Sequence, residues 1–460
     1  MPVFDNILQA IGRTPLVRLN KAVSREDATV YVKCEFMNPG GAIKDRMAQY
    51  ILDKAEREGK IKPGGTIVEN TSGNTGMGVA LWAAVKGYRC VFTMPDKMST
   101  EKVNALKAFG ADVVVTPTNV AAEDPRSYYE TAKRIHRETP GSFMLNQYHN
   151  EDNIAAHYKL TGPELEKDCR DKGISPDFFV AGLGTGGTMS GAGKYLKEKF
   201  PGLKNIGVDP EGSVYLDYFK TKKLIQPHVY KVEGIGEDML CKAMDFSVLD
   251  DVRRVDDKQS FTMARKLARE EGLFGGGSSG SAAHVAVELA KELGKGKVVL
   301  CILPDSGSRY ITKFYSDEWM KDNGFLDPTD RLGTVADLLG GKRPAVITVN
   351  AADNARHAVD LMKQHGISQL PVMDGHRPVA MLHEVDLLQA LLDGRHKLDE
   401  PISGVMKPLA GVVTMRTPVS RLKELFATDH VAIVKEGDAL AAILTKIDLI
   451  DWLGTRVAVR

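Results

Sequence analysis

From about residue 29 to residue 304, short runs of β-branched and apolar residues alternate with segments whose apolar positions recur every three or four residues. The runs 29–35, 66–69, 89–94, 112–116, 178–181, 205–208 and 298–303 read as strands, and 47–58, 76–86, 99–109, 127–137 and 281–293 as amphipathic helices. Such alternation predicts an α/β fold with parallel sheets covered by helices on both faces. About 300 residues of it imply two parallel-sheet subdomains, each with its own core. Residues 1–326 are expected to form this part.

After residue 326 the texture changes. Residues 327–343 hold Pro328, Gly333, Gly340 and Gly341, and read as a linker with one short helix. Beyond it lies a weak internal repeat of roughly sixty residues. The first copy, 344–397, runs from Val346-Ile347-Thr348 through a helix at 356–365 to Met381-Leu382-His383-Glu384-Val385-Asp386. The second, 398–460, runs from Val412-Val413-Thr414 through 419–427 to Ile443-Leu444-Thr445-Lys446-Ile447-Asp448. Each copy reads as strand, helix, one or two strands, helix.

Composition narrows the function. Lys plus Arg is 61 against Asp plus Glu 60, which gives no field to draw in nucleic acid or an acidic membrane. No apolar stretch approaches the ~20 residues that cross a bilayer, and Met1-Pro2-Val3-Phe4-Asp5-Asn6 lacks the pattern of a signal peptide. The five cysteines have no metal-site spacing and read as reduced structural thiols, so a cytoplasmic location and no metal are expected.

Candidate chemistry lies where strands give way to helices, because helix starts expose free N–H groups and a positive dipole end. Asn70-Thr71-Ser72-Gly73-Asn74-Thr75-Gly76 carries more hydroxyls and amides than a helix cap needs. Ala181-Gly182-Leu183-Gly184-Thr185-Gly186-Gly187-Thr188 contains a GxGxxG, with Asp209 about twenty residues on. By itself it reads equally as a dinucleotide turn or as a cup for one phosphate monoester. Gly275-Gly276-Gly277-Ser278-Ser279-Gly280-Ser281 is a third such turn, for which a nicotinamide enzyme has no use. Lys44, in Asn38-Pro39-Gly40-Gly41-Ala42-Ile43-Lys44-Asp45-Arg46, falls in the first turn of a helix, where the dipole disfavours a cation. A lysine with a depressed pKa suits Schiff-base chemistry.

Together these motifs, with Ile11-Gly12-Arg13-Thr14-Pro15-Leu16 before them and Leu303-Pro304-Asp305-Ser306-Gly307-Ser308-Arg309-Tyr310 after, resemble the fold type II pyridoxal-phosphate (PLP) enzymes. The resemblance is to the cysteine synthase and cystathionine β-synthase family, whose core is tryptophan synthase β-like. The tandem repeat resembles a pair of CBS domains (a Bateman module), a combination that points to the cystathionine-forming side of the family. The resemblance implies PLP as cofactor, carried by Lys44, which also moves the Cα proton. It implies that Asn74 bonds the phenolic oxygen, that Gly184, Thr185, Gly186, Gly187 and Thr188 hold the phosphate, and that Ser278 faces the pyridine nitrogen. Thr71, Ser72, Thr75 and Gln147 are implied to bind the substrate carboxylate. The implied reaction is a β-replacement joining L-serine, or an activated serine, to L-homocysteine; the alternative is an O-acetylserine-dependent cysteine synthase. A homodimer is implied too, and no heme is expected, since the catalytic pattern starts within the first dozen residues. In Glu233-Gly234-Ile235-Gly236-Glu237-Asp238, two acids stand where cysteine synthases carry small or apolar residues, placed to receive the ammonium of homocysteine or to face solvent as a surface turn. An adenosyl ligand, S-adenosylmethionine first, is implied at Thr445 and Asp448 of the second copy. The first copy has His383 ahead of Asp386, and a purely structural module is the other reading.

Overall fold

The computed structural model describes residues 3–96, 98–121, 123–326, 333–341, 345–428 and 431–457. Contacts divide the chain into two units, Met1–Phe325 and Leu326–Arg460.

In the first unit, a six-stranded sheet has the order Leu16–Arg18, Thr29–Cys34, Val298–Leu303, Phe178–Gly182, Lys204–Pro210, Asp251–Val255. Its first pair is antiparallel and the rest are parallel. The strand Val298–Leu303 comes last in the chain yet pairs Leu303 with Cys34 and Cys301 with Val180. Three loops distant in sequence, after Cys34, Gly182 and Leu303, therefore leave the same sheet edge side by side, where α/β sheets place ligands. A second sheet, Asp112–Thr116, Arg89–Pro95, Thr66–Asn70, Phe143–Met144, is parallel throughout. The three strands that the hydrophobic pattern does not predict, Leu16–Arg18, Phe143–Met144 and Asp251–Val255, are all edge strands. An edge strand is paired on one side only, so its residues are less uniformly apolar.

The helix Lys44–Arg57 follows a strand of the first sheet but buries Met47, Ala48, Ile51, Leu52 and Ala55 with Ile67, Trp82 and Phe92 of the second core. At Gly78 a Cβ would sit 3.1 Å from the carbonyl oxygen of Lys44, so the helix Asn74–Lys86 packs hard against this turn. Beneath it, Lys33 Nζ meets Glu164 and Asp168 at 2.6 Å each and Arg46 pairs with Glu35 and Glu164 at 2.7 Å. Thr14 closes the network through a 2.6 Å bond to Glu35, so every charge in it is paired.

The second unit contains two sheets, Val349–Asn350, Gln369–Asp374, Arg377–His383, Lys407–Pro408 and Val412–Thr414, Val431–Glu436, Ala439–Thr445. They meet at Met381, Val431 and Ile433. The stretch expected as a linker contributes more than a tether. Thr334 caps a helix, Val335–Leu339, whose Val335 and Leu339 enter the core of Val413, Val419 and Leu422. Apolar residues four apart on a capped turn suffice for this. Similarly, Ile402 and the strand Lys407–Pro408, expected in the second copy, belong to the core and sheet of the first.

Candidate active site

The turn after Phe178–Gly182 is shaped by close approach. Gly186 has φ +93, a Cβ on Gly184 would stand 2.9 Å from Gly234 O, and one on Gly187 would overlap Asn153. The chain is helical from residue 187, so the N–H groups at 186–188 are among those a helix leaves unpaired. Behind the turn, Asn153 Nδ2 donates to Thr185 Oγ1 at 2.9 Å and His157 Nε2 lies 3.4 Å from Thr188 Oγ1. Burial pushes the His157 pKa well below its ordinary value, so this imidazole is neutral. Asp209, the acid of the competing dinucleotide reading, is wholly buried and accepts the N–H of Leu216 at 2.8 Å. This arrangement suits a cup for a single anion better than a dinucleotide turn.

Lys44 is the first residue of its helix and is partly buried, and its ammonium has no hydrogen-bond partner among the described residues. Burial pushes its pKa down, against the opposing pull of Glu237 and Asp305. Beside it Asp45 is fully buried, with one oxygen accepting the Gly40 N–H at 2.6 Å and the other unpartnered, and burial pushes its pKa up to about 7. Glu237 is pushed up to about 8 by burial and by Asp238, while Lys44 pulls it down. The segment 233–238 passes close overhead: a Cβ at Gly234 would be 3.7 Å from Ser278 Oγ and 3.8 Å from Asn74 Nδ2.

On the other sheet, Thr71 Oγ1 accepts the N–H groups of Gly73 at 2.9 Å and Gly76 at 3.1 Å, which shapes the turn. Thr75 Oγ1 donates to Gln147 Oε1 at 2.6 Å, and Gln147 Nε2 is 3.4 Å from Asn70 O. Ser72 is partly buried and makes no hydrogen bond among the described residues. Glu69 is fully buried and accepts the N–H groups of Asn146 at 2.7 Å and Gln147 at 3.1 Å, setting the turn that presents Gln147. Burial pushes its pKa up to about 8.

Sequence reasoning gave Asp305, Arg309, Glu69 and Asn153 no role. Asp305 accepts from Asn74 Nδ2 at 2.9 Å and Tyr310 at 2.6 Å, and Ser278 Oγ is 3.4 Å away. Arg309 holds Asn74 Oδ1 and Gly40 O. Asp305 and Arg309 stood inside a matched motif directly after a strand, the one signal that pointed to them. Glu69 and Asn153 looked like ordinary polar residues.

These residues fit PLP. Backbone N–H groups and two hydroxyls form an anion cup whose glycines are packed too closely against their neighbours to carry a Cβ. A lysine with a lowered pKa, an amide and a buried serine stand at the ends of neighbouring elements. Lys44 would hold the aldehyde carbon, Gly184–Thr188 the phosphate, Asn74 the phenolic oxygen and Ser278 the ring nitrogen.

Fold and site together define a PLP-dependent enzyme, and the family model described as "Pyridoxal-phosphate dependent enzyme" matches residues 7–305, followed by a CBS domain match over 326–393. The chain is 40% identical over 477 residues to the cystathionine beta-synthase of Dictyostelium discoideum, across 98% of this chain and 92% of that one. The chain belongs to the cystathionine β-synthase and cysteine synthase family of PLP enzymes, in the form that carries CBS domains. A cysteine synthase of Staphylococcus aureus is 45% identical over 313 residues, 68% of this chain and 97% of its own. The crystal structure of an O-acetylserine dependent cystathionine beta-synthase from Helicobacter pylori aligns with a TM-score of 0.62 and 36% identity, covering 68% of this chain and 99% of the other.

In the second unit, Thr445 Oγ1 and N–H both donate to Asp448 Oδ2 at 2.6 Å. At the matching place in the first copy, Asp386 pairs with Lys407 at 3.8 Å. All five cysteines are buried and free, and no described helix is long and apolar enough to cross a membrane. Among the described residues no cluster of His, Cys, Asp and Glu is placed to hold a metal ion.

Proposed function

We propose that this enzyme replaces the β-substituent of L-serine, or of an activated serine, with the thiol of L-homocysteine to give cystathionine, the first step of transsulfuration. The likeness to a cystathionine β-synthase along 98% of the chain, CBS module included, carries this reading. Bound PLP supplies an electron sink for the carbanion at Cα. Thr71, Ser72, Thr75 and Gln147 orient the substrate carboxylate. Lys44, its pKa lowered by burial, takes the Cα proton and returns it once the thiol has added at Cβ. Glu237 and Asp238, close above the site, receive the ammonium of homocysteine.

A cysteine synthase using O-acetylserine shares every cofactor residue, and the 45% identity to the Staphylococcus aureus enzyme over the catalytic unit favours it as the second reading. Product analysis with serine or O-acetylserine against homocysteine or sulfide decides. Cystathionine from serine and homocysteine supports the first reading; cysteine from O-acetylserine and sulfide alone overturns it.

Regulation by S-adenosylmethionine at Thr445 and Asp448, with one site per chain or fewer, belongs to the same reading. So does a homodimer. Val385, Leu388 and Leu392 on the helix Glu384–Leu392 are 65%, 54% and 74% exposed, and Ile447 and Ile450 repeat the pattern in the second copy at 63% and 60%. Two such apolar stripes suit a like partner. A monomer by light scattering at assay concentration would contradict that. The buried reduced thiols accord with a cytoplasmic enzyme.

A further inference from the structure

Asn153 is 1% exposed and lies in the helix Asp152–Ala156, behind both the anion cup and the segment that carries Gln147. Its side-chain amide has two protons, and each has an acceptor: Thr185 Oγ1 at 2.9 Å and the backbone oxygen of Gln147 at 2.9 Å. Its carbonyl end lies against Gly187, where any Cβ would overlap it. A single amide thus touches the cup at two places and Gln147 at a third.

The direction of these bonds matters. Because Thr185 Oγ1 accepts from Asn153, its own proton is left to point forward at an anion. Gln147 Oε1 accepts from Thr75 at 2.6 Å and one proton of its NH₂ is donated to Asn70 O at 3.4 Å, so the other is left to meet a carboxylate. Chains of hydrogen bonds polarise and stiffen one another, so an anion that fixes Thr185 also fixes the next donor back.

We propose that Asn153 is a positioning residue that couples the two subsites: a phosphate in the cup orders Thr185, Thr185 orders Asn153, and Asn153 holds Gln147 where the substrate carboxylate lands. The coupling rests on the assignment of the cup to the cofactor phosphate and of Gln147 to the carboxylate.

The test uses Thr185→Val, which keeps the shape and removes the acceptor, together with Asn153→Ala and the double variant. With PLP saturating, serine is titrated into the holoenzyme and the shift of the cofactor band near ~410–420 nm is followed. One hydrogen bond of ordinary strength corresponds to a weakening of about threefold to tenfold. Thr185→Val, although remote from the carboxylate, is expected to weaken serine by that factor, and the double variant to be no worse than Asn153→Ala. Unchanged serine affinity in saturated Thr185→Val, or fully additive losses, overturns the coupling. A second readout needs no turnover: inorganic phosphate should raise the melting temperature of the wild-type apoenzyme, and raise it less in both single variants. If phosphate does not stabilise the wild type, the cup assignment itself falls, whereas stabilisation without any link to serine defeats only the coupling. Should Asn153→Ala fail to fold, Thr185→Val decides by itself.

Discussion

The cup at Gly184–Thr188 and the pair Thr445–Asp448 are both helix starts with threonine hydroxyls, yet they are built in opposite ways. In the pair, hydroxyl, backbone N–H and carboxylate satisfy one another, and Asp448 stands at the surface. In the cup, the hydroxyls are held from behind by Asn153 and His157, and glycine backbone opens the front. A ligand at the pair meets groups already engaged with one another, while a ligand at the cup completes bonds that are already aimed. Preorganisation of that kind raises affinity by removing the ordering cost. The catalytic side keeps Lys44, Asp45, Glu69 and Glu237 away from their ordinary pKa values by burial.

The sharpest break of that contrast is Lys44→Ala. With no core packing to lose, the variant should keep its melting temperature and lose turnover by at least about a thousandfold. Near wild-type turnover would remove Lys44 from the reaction.

Gly187→Ala tests whether the cup is as tight as its geometry says. The added methyl must displace Asn153, so we expect PLP affinity to fall by about tenfold or more and stability by about 1–3 kcal/mol. Fluorescence titration of the apoenzyme and calorimetry check the two effects, and unaltered PLP affinity would mean the cup is looser than described.

Glu69 gives a pH signature. Its folded pKa of about 8 lies above the ordinary carboxyl value, so the folded state holds the proton more tightly than the unfolded chain. The stability this contributes is complete below the ordinary carboxyl range and is lost as pH rises through about 8. Glu69→Gln should flatten that fall, which melting curves at several pH values between those limits would reveal.

The smallest effect is expected at the surface. Asp448→Ala should abolish the heat of S-adenosylmethionine binding in isothermal titration and cost about 1 kcal/mol of stability from the lost cap. No heat with the wild type makes the module structural, and two equal sites per chain would show that His383 does not disable the first copy.

Much of the frame was legible in the chain. Strands buried on both faces are continuous apolar runs, and helices with one buried face carry a period of 3.6, so the central strands and their flanking helices stood out. The edge strands did not, because pairing on one side relaxes the demand for apolar residues. The short helix expected in 327–343 is Val335–Leu339, but the glycines around it hid that Val335 and Leu339 enter a core, although its capping box and their spacing were present.

The sequence alone determined the central strands and their helices, the glycine-rich turns and the lysine, because those depend on local sterics, on periodicity and on residues only a few positions apart. Their meeting was decided by tertiary structure. The strand Val298–Leu303 inserts beside Thr29–Cys34 and brings Asp305 to Asn74 and Ser278, a contact spanning 231 positions for Asn74. Asn153 likewise reaches Thr185 across 32 positions and Gln147 across 6. Burial, and with it the pKa of Lys44, Asp45, Glu69 and Glu237, is a property of what surrounds a side chain. It arises only once distant segments have excluded water together.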